Sequence, residues 1–266
     1  MILDEILANK RREVAERRLQ RPLLPPATGV DASGARFIAA LRQPGVSFIA
    51  EIKRKSPSGG ELRPGASAAD LAAMYESAGA AALSVLTDAA YFGGTDDDLV
   101  TARHVSGLPA LRKDFVVDPY QIYEARALGA DAVLLIVRAL ADTELSELVS
   151  LTHHLGIEAL VETHSAAEVD RAVRAGARIV GVNNRDLDTL VTDVSLAPRL
   201  RSMVPPGIVF VAESGISQPE QVTALLAAGV DAILIGESLL RSPDPRSKLR
   251  SLVEAGVPSA AVRASA

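Results

Sequence analysis

The sequence predicts an α/β fold, a (β/α)8 TIM barrel with an N-terminal helical extension. Three observations lead to this fold. The chain has 266 residues, and barrels of about 250 residues commonly form one domain. Short apolar runs alternate with helical patterns at spacings of roughly 20–30 residues, which is the size of one βα unit. Eight such runs occur, and each one ends in polar residues.

The apolar runs have the composition of strands buried on both faces, as in a parallel sheet covered by helices. The first run is 47–52, and each later run follows a glycine that ends a helical pattern. Those glycines are Gly79, Gly107, Gly129, Gly156, Gly176, Gly207 and Gly229. Helices are predicted between the runs at 68–78, 119–128, 143–155, 166–175 and 219–228. An open doubly wound sheet is the alternative, but its GxGxxG loop is absent from the sequence.

The first 46 residues are predicted to form the helical extension, ahead of a barrel that spans about 47–255. Apolar positions recur at helical spacing over 2–19, and a shorter helix is predicted around 35–42. The basic run 10–12 is expected on the solvated face of the first helix. The apolar face of that helix is short, which favours docking on the barrel over contact with a membrane or RNA.

Composition restricts the class of protein. Hydrophobic residues make up 48% of the chain and aromatic residues only 3%, so the core must consist of Ala, Val, Leu and Ile. The absence of cysteine excludes disulfides and thiolate chemistry and suits a cytoplasmic protein. The net charge of -5 and a pI near 5.5 argue against nucleic-acid binding. No apolar run predicts a membrane span or a signal peptide, and residues 1–266 are predicted to be a single domain.

Glu51 and Lys53 interrupt the end of the first apolar run. The side-chain period of a strand is two, so both residues point the same way. One interpretation is an internal ion pair that fills the barrel, because an isolated acid or base there would be costly. The other is a functional site. Later strands also end in charged residues, among them Lys113, Glu162 and Arg185, and the carboxyl ends of barrel strands share one mouth.

The last two strand ends predict a phosphate site. Ser214 and Gly215 follow the seventh run, and Gly236 and Ser238 follow the eighth. Barrels often bind phosphate on these loops, where glycine permits close approach of the backbone and serine donates a hydroxyl. Ordinary helix capping explains either loop alone, so the prediction depends on the two loops being neighbours.

No metal site is predicted from the histidines. His164 falls near the mouth, whereas His104, His153 and His154 fall in or beside helical patterns. Each of them is interpreted as a surface histidine.

Several strings of residues resemble one enzyme family. The specific strings are EIKRKSPS from Glu51, LRKDF from Leu111 and GVNNRDL from Gly181, and LTDAAYFGGT, LVETH, VAESGI and LIGESLL accompany them in order. Over about residues 34–255 the chain resembles the indole-3-glycerol phosphate synthases. The resemblance implies a carboxy-lyase of tryptophan biosynthesis that requires no cofactor or metal. Its substrate would be 1-(2-carboxyphenylamino)-1-deoxyribulose 5-phosphate, which loses CO₂ and water as the indole ring closes.

The resemblance also implies roles for individual residues. Lys113 would be the general acid of ring closure, and Glu162 would stabilise the anilinium-like centre. Lys53 would bind the leaving carboxylate, with Glu51 as its partner or as a base. Asn183 and Ser214 would hold the hydroxyls of the substrate, and Arg185 would supply a cation. Phe115 and Leu134 would line the pocket for the aromatic ring, and Ser56 would lie in the first loop. The phosphate would be contacted by Gly215, Gly236 and Ser238.

Two positions depart from the pattern of the family. Its members often have Lys at the position of Gly59 and Ser at that of Thr95, so substrate affinity or closure of the first loop is expected to differ. One alternative is another phosphosugar-binding barrel, an isomerase or a Schiff-base aldolase that uses Lys53 or Lys113. A non-catalytic barrel that binds a phosphorylated ligand is another. The expected partner is a small phosphorylated substrate, and the expected assembly is a monomer or weak homo-oligomer.

Overall fold

The computed structural model describes residues 2–22, 33–56, 60–186 and 189–258. Eight parallel strands form a closed barrel, and their order around the barrel is their order in the chain. The strands are β1 Ser47–Ile52, β2 Ala82–Leu86, β3 Ala110–Lys113, β4 Ala132–Ile136, β5 Glu158–Thr163, β6 Ile179–Asn183, β7 Val209–Glu213 and β8 Ala232–Ile235. Ile49 of β1 lies opposite Leu234 of β8, which closes the sheet. The predicted (β/α)8 barrel is confirmed.

Twelve α-helices precede, connect or follow the strands in the described residues, and seven of them match the predicted helices to within two residues at each end. They are α1 Ile2–Gln20, α2 Ser33–Leu41, α3 Ala68–Ser77, α4 Ala89–Phe92, α5 Asp96–Ser106, α6 Pro119–Ala127, α7 Asp142–His154, α8 Ala166–Arg174, α9 Leu196–Leu200, α10 Pro219–Ala227, α11 Glu237–Leu240 and α12 Pro245–Ala255. Short 3-10 turns cover Val137–Ala139 and Arg201–Met203, and a small hairpin pairs Lys55–Ser56 with Gly60–Glu61.

Glycines end the helices that lead into strands, as the sequence predicts. Gly79, Gly129 and Gly229 follow α3, α6 and α10 with φ angles of 97°, 82° and 77°. This left-handed conformation is strained for residues that have a Cβ, and glycine adopts it freely. The chain therefore reverses sharply after each of these helices and enters the next strand.

The barrel strands are buried, and their side chains are mainly aliphatic. Every residue of β1, β2, β4 and β5 is buried. The low aromatic content is consistent with this packing, because branched aliphatic side chains fill the interior of such barrels. Polar groups are concentrated at the carboxyl ends of the strands, where the functional site lies.

Helix α1 docks on the barrel through a face that includes a charged residue. Leu3, Leu7 and Val14 are buried, and Lys10 is equally buried, with a relative exposure of 1%. The expectation that Lys10 lies on the solvated face is wrong. Lys10 has the three-to-four-residue spacing of that apolar face, and its ammonium is neutralised by Asp88 at 2.7 Å and Asp114 at 2.9 Å.

Among the described residues, no helix combines the length and the apolar character that crossing a membrane requires.

Candidate active site

A cavity of about 430 Å³ opens at the carboxyl ends of the strands. Every residue that the sequence analysis placed in the site lines it: Glu51, Lys53, Ser56, Lys113, Phe115, Leu134, Glu162, Asn183, Arg185, Ser214, Gly215, Gly236 and Ser238. The fold thus brings together residues from seven of the eight strand ends, because β/α closure directs those ends to one mouth. Their chemical roles remain predictions.

Lys113, the last residue of β3, lies at the centre of a group of carboxylates. Its Nζ is 3.1 Å from Glu213 Oε2, 3.5 Å from Glu51 Oε2 and 3.9 Å from Glu162 Oε2. The Lys53 ammonium approaches the same group and lies 2.5 Å from Glu51 Oε1. Glu51 and Lys53 therefore point the same way, as the strand period predicts, and they belong to a larger cluster. We call these five residues the Lys113 cluster.

Burial and charge act against each other in this cluster. Burial alone would lower the pKa of Lys113, but the carboxylates of Glu213, Glu51 and Glu162 raise that pKa above the ordinary lysine range. Burial would likewise raise the pKa of Glu51, but the ammonium groups of Lys53 and Lys113 lower it to about 2. Both groups are consequently charged at neutral pH.

Glu213, the last residue of β7, belongs to the Lys113 cluster but is not among the residues that the sequence analysis selected. Its burial, with the nearby Glu162 carboxylate, raises its pKa to about 7 despite the opposing charge of Lys113. A Cβ on Gly181 of β6 would come within 2.2 Å of Glu213 Oε1, so glycine there leaves space for the carboxylate. The sequence signal that could have identified Glu213 is an acidic residue at the end of an otherwise apolar strand, as at Glu51.

Gly236 follows β8 and leaves space for Glu51 in the same way. A Cβ at position 236 would come within 2.4 Å of Glu51 Oε1. Because Glu51 holds both Lys53 and Lys113, a side chain at this position would disturb the whole cluster. Gly236 therefore has a structural reason to be glycine that is independent of phosphate binding.

One wall of the cavity is apolar. Phe115 and Leu134 line it with Phe92, and the rings of Phe92 and Phe115 are 6.0 Å apart between centroids. Leu3 and Ile6 of α1 complete this wall. The sequence analysis did not place α1 in the site, because helical periodicity identifies an apolar face without showing which surface it covers.

The opposite side of the cavity is polar and is formed by the loops after β6, β7 and β8. Ser214 and Gly215 both have positive φ angles, 65° and 80°, and Asn184 Nδ2 holds the turn by donating to the Ser214 carbonyl at 3.0 Å. A non-glycine residue in this region is strained, and such strain concentrates at functional sites. The hydroxyl of Ser238 donates to the Ile216 carbonyl at 3.0 Å, which ties the last two loops together.

The remaining polar residues of the site are held by local hydrogen bonds. Asn183 Oδ1 accepts from the backbone N–H of Arg185 at 3.0 Å, and Arg185 Nη1 lies 3.1 Å from Glu237 Oε2. Ser56 is buried at the start of the small hairpin. Gly59, at which the sequence departs from the family pattern, lies outside the described residues.

His164 is buried, with a relative exposure of 8%, so its interpretation as a surface histidine is wrong. It directly follows β5, whose carboxyl end points into the barrel mouth. Within the described residues, His, Asp and Glu side chains form no group of three or more that could hold a metal ion.

The comparisons with known proteins identify one family. The family model described as indole-3-glycerol phosphate synthase matches residues 3–252. The indole-3-glycerol phosphate synthase of Mycobacterium ulcerans is 46% identical over 261 residues, covering 96% of this chain and 94% of that protein. Indole-3-glycerol phosphate synthase 2 of Streptomyces coelicolor is 54% identical over 217 residues, covering 82% of this chain and 84% of that protein.

Solved structures resemble the chain in fold alone. Thiamine phosphate pyrophosphorylase from Pyrococcus furiosus gives a TM-score of 0.61 at 18% identity and covers 81% of this chain and 96% of its own. The N-acetylmannosamine-6-phosphate 2-epimerase from Clostridium perfringens gives a TM-score of 0.58 at 18% identity and covers 74% of this chain and 89% of its own.

The alternative of another phosphosugar isomerase or aldolase is not favoured, because the family model and the relatives share one name. The chain belongs to the indole-3-glycerol phosphate synthase family.

Proposed function

We propose that the protein converts 1-(2-carboxyphenylamino)-1-deoxyribulose 5-phosphate to indole-3-glycerol phosphate at the mouth of its barrel. A bond forms between the carboxyl-bearing carbon of the aromatic ring and the ketone carbon of the substrate. The bond from the ring to its carboxyl group breaks, which releases CO₂, and loss of the hydroxyl as water then makes the new ring aromatic. Membership of the family supports this reaction.

The observation that carries the proposal is the position of Lys113. Its ammonium lines a cavity that has an apolar wall on one side and two serine- and glycine-containing loops on the other. We assign it as the general acid that protonates the ketone oxygen while the carbon–carbon bond forms. Three carboxylates keep this buried amine protonated, so it carries at neutral pH the proton that the ketone oxygen receives.

The other charged residues of the Lys113 cluster receive roles from their contacts. Lys53 is assigned to the carboxylate that leaves as CO₂ and to the dehydration step, in which Glu51, 2.5 Å away, is its partner or the base. Glu162 is assigned to the positive charge that develops on the aniline nitrogen. Glu213 is added to the set through its hydrogen bond from Lys113 Nζ at 3.1 Å.

The substrate phosphate is assigned to the loops after β7 and β8. Gly215 and Gly236 permit close approach of the backbone, Ser238 belongs to the second loop, and Arg185 supplies positive charge. The aromatic ring is assigned to the opposite wall, at Phe115 and Leu134. Asn183 and Ser214 lie between these regions and are assigned to the substrate hydroxyls, and Ser56 is assigned to the first loop.

The test is to incubate the purified protein with the carboxyphenylamino substrate and to follow indole absorption. Lys113→Met should lower kcat by about 10²- to 10⁴-fold, which is the usual contribution of a general acid. Lys248→Met, on α12 outside the cavity, is the matched control and should keep the wild-type rate. A full rate from Lys113→Met, or no product from the wild type, would contradict the assignment. Borohydride trapping of a substrate adduct would support the aldolase alternative.

A further inference from the structure

His164 occupies a buried position directly behind the Lys113 cluster. Its Nε2 lies 3.5 Å from Glu162 Oε1, and its Nδ1 lies 3.5 Å from Glu168 Oε2. Its side chain is 2% exposed. Neither ring nitrogen has a hydrogen-bond partner of good geometry among the described residues. The ring is thus placed between two carboxylates and is nearly sealed from solvent.

Charged groups on four elements face this imidazole. Glu162 lies on β5, and Glu168 lies on α8 and accepts from the His164 backbone N–H at 2.7 Å. Arg138, in the 3-10 turn after β4, lies 3.3 Å from Glu168. Glu213 at the end of β7 interacts with His164 electrostatically. Arg138 offsets the charge of Glu168, which leaves the imidazole beside the carboxylates of the Lys113 cluster.

The Lys113 cluster carries one more negative than positive charge when all its members are ionised. Lys53 and Lys113 are the cations, and the carboxylates belong to Glu51, Glu162 and Glu213. An uncompensated charge is costly at this depth. The excess negative charge can be neutralised in two ways, either by a proton on Glu213 or by a cation next to the cluster. His164 is in position to be that cation.

We propose that His164 is a positioning residue for the reaction, and that as an imidazolium it supplies the charge that keeps the carboxylates around Lys113 ionised. This inference rests on the proposed function. The pKa of His164 agrees with it: burial lowers the pKa, but the carboxylates of Glu168 and Glu162 raise it above the ordinary histidine value. His164 in turn lowers the pKa of Glu213. A proton on His164 therefore disfavours a proton on Glu213.

The charge on His164 can be measured without turnover. The chain has 4 histidines, and the imidazole resonance that disappears from the NMR spectrum of His164→Asn identifies this one. Its titration midpoint should lie above about 6.5, the unperturbed value. Glu168→Gln should lower that midpoint, because it removes a carboxylate that stabilises the imidazolium. A midpoint below about 6.5, or a ring that stays neutral from pH 5 to 9, would overturn the proposal.

The pH dependence of kcat/KM tests the link to the reaction. In His164→Asn, Glu213 should retain its proton to higher pH, so the acid limb of the profile should move up by about one pH unit, the effect of losing one nearby opposite charge. His154→Asn, an exposed residue on α7, is the matched control and should leave the profile in place. A uniform loss of rate at every pH, or an unchanged profile, would contradict the positioning role.

The two failures can be told apart. A wild-type protein without turnover would contradict the proposed function, and the NMR titration would still decide whether His164 carries the charge. An active wild type whose His164→Asn profile does not move would leave the proposed function intact and remove only this inference.

Discussion

Glu237 places a carboxylate among the residues proposed to bind the substrate phosphate. Its Oε2 lies 3.1 Å from Arg185, and its Oε1 lies 2.9 Å from Arg241. Burial would raise the pKa of Glu237, but these two guanidinium groups lower it, so the carboxylate is ionised. Like the phosphate it is negatively charged, and we expect it to compete with the phosphate for the guanidinium of Arg185.

Glu237→Gln should bind inorganic phosphate more tightly than the wild type, by about 3- to 10-fold at low ionic strength, because a nearby like charge is removed. Isothermal titration measures the dissociation constant. Glu254→Gln, an exposed residue of α12, controls for the change in net charge. Equal affinity in the wild type and in Glu237→Gln would show that Glu237 does not compete with the anion.

At the scale of elements, α1 belongs to the functional part of the barrel. Lys10 fastens it to Asp88, which caps α4 by accepting from the Tyr91 N–H at 2.7 Å. Lys10 also contacts Asp114, the residue that follows Lys113. The same helix carries Leu3 and Ile6 into the cavity wall. Docking of α1 therefore completes the pocket proposed for the aromatic ring.

Lys10→Met should lower the free energy of unfolding by about 3–5 kcal/mol, because the buried Asp88 loses its cation and the buried Asp114 keeps only Arg112, 3.6 Å away. It should also raise KM, since Leu3 and Ile6 lose their fixed position. Urea denaturation and steady-state kinetics measure the two effects. Arg11→Met, one residue along on the exposed face of α1, should change the stability by less than about 0.5 kcal/mol. Comparable stability of the two variants would contradict this account of Lys10.

At the scale of the whole molecule, the buried cluster links stability to pH. The pKa of Glu213 is about 7 in the folded protein, above the ordinary value of 4.5. Between these pH values the folded protein retains a proton that the unfolded chain has released. The contribution of Glu213 to stability is therefore present below about pH 4.5 and is lost as the pH rises to about 7.

Glu213→Gln removes this titration. Its free energy of unfolding, relative to that of the wild type, should increase from pH 5 to pH 7 and should be constant above that. Urea denaturation at a series of pH values measures the difference, and Glu254→Gln should show no such trend. A difference between Glu213→Gln and the wild type that stays constant, or that falls with pH, would contradict the assignment of the raised pKa.

The sequence by itself determined the barrel, because the signals for it are local. Each strand is a short apolar run, and each reversal is marked by a glycine such as Gly79 or Gly129. The strand ends then follow from the topology, and Glu51, Lys113 and Ser214 could be placed at one mouth before any coordinates. The monomeric or weakly oligomeric assembly, the cytoplasmic location and the extent of the domain stay predictions.

Only the tertiary structure decided which charges are buried together. Lys10 has the spacing of an apolar helix face and Glu213 ends an apolar strand, but neither pattern shows which partner neutralises the charge, and His164 has no comparable pattern. Lys10 and Glu213 are tolerated in the interior because partners distant in sequence lie within a few ångströms: Asp88 and Asp114 for Lys10, and Lys113 for Glu213. The acids beside His164, Glu162 and Glu168, are near it in the chain, and the tertiary structure decides that the ring is buried between them. The periodicity of a sequence indicates which positions face the core. Whether a charge is tolerated at such a position depends on its electrostatic partners, and only folding brings those partners near.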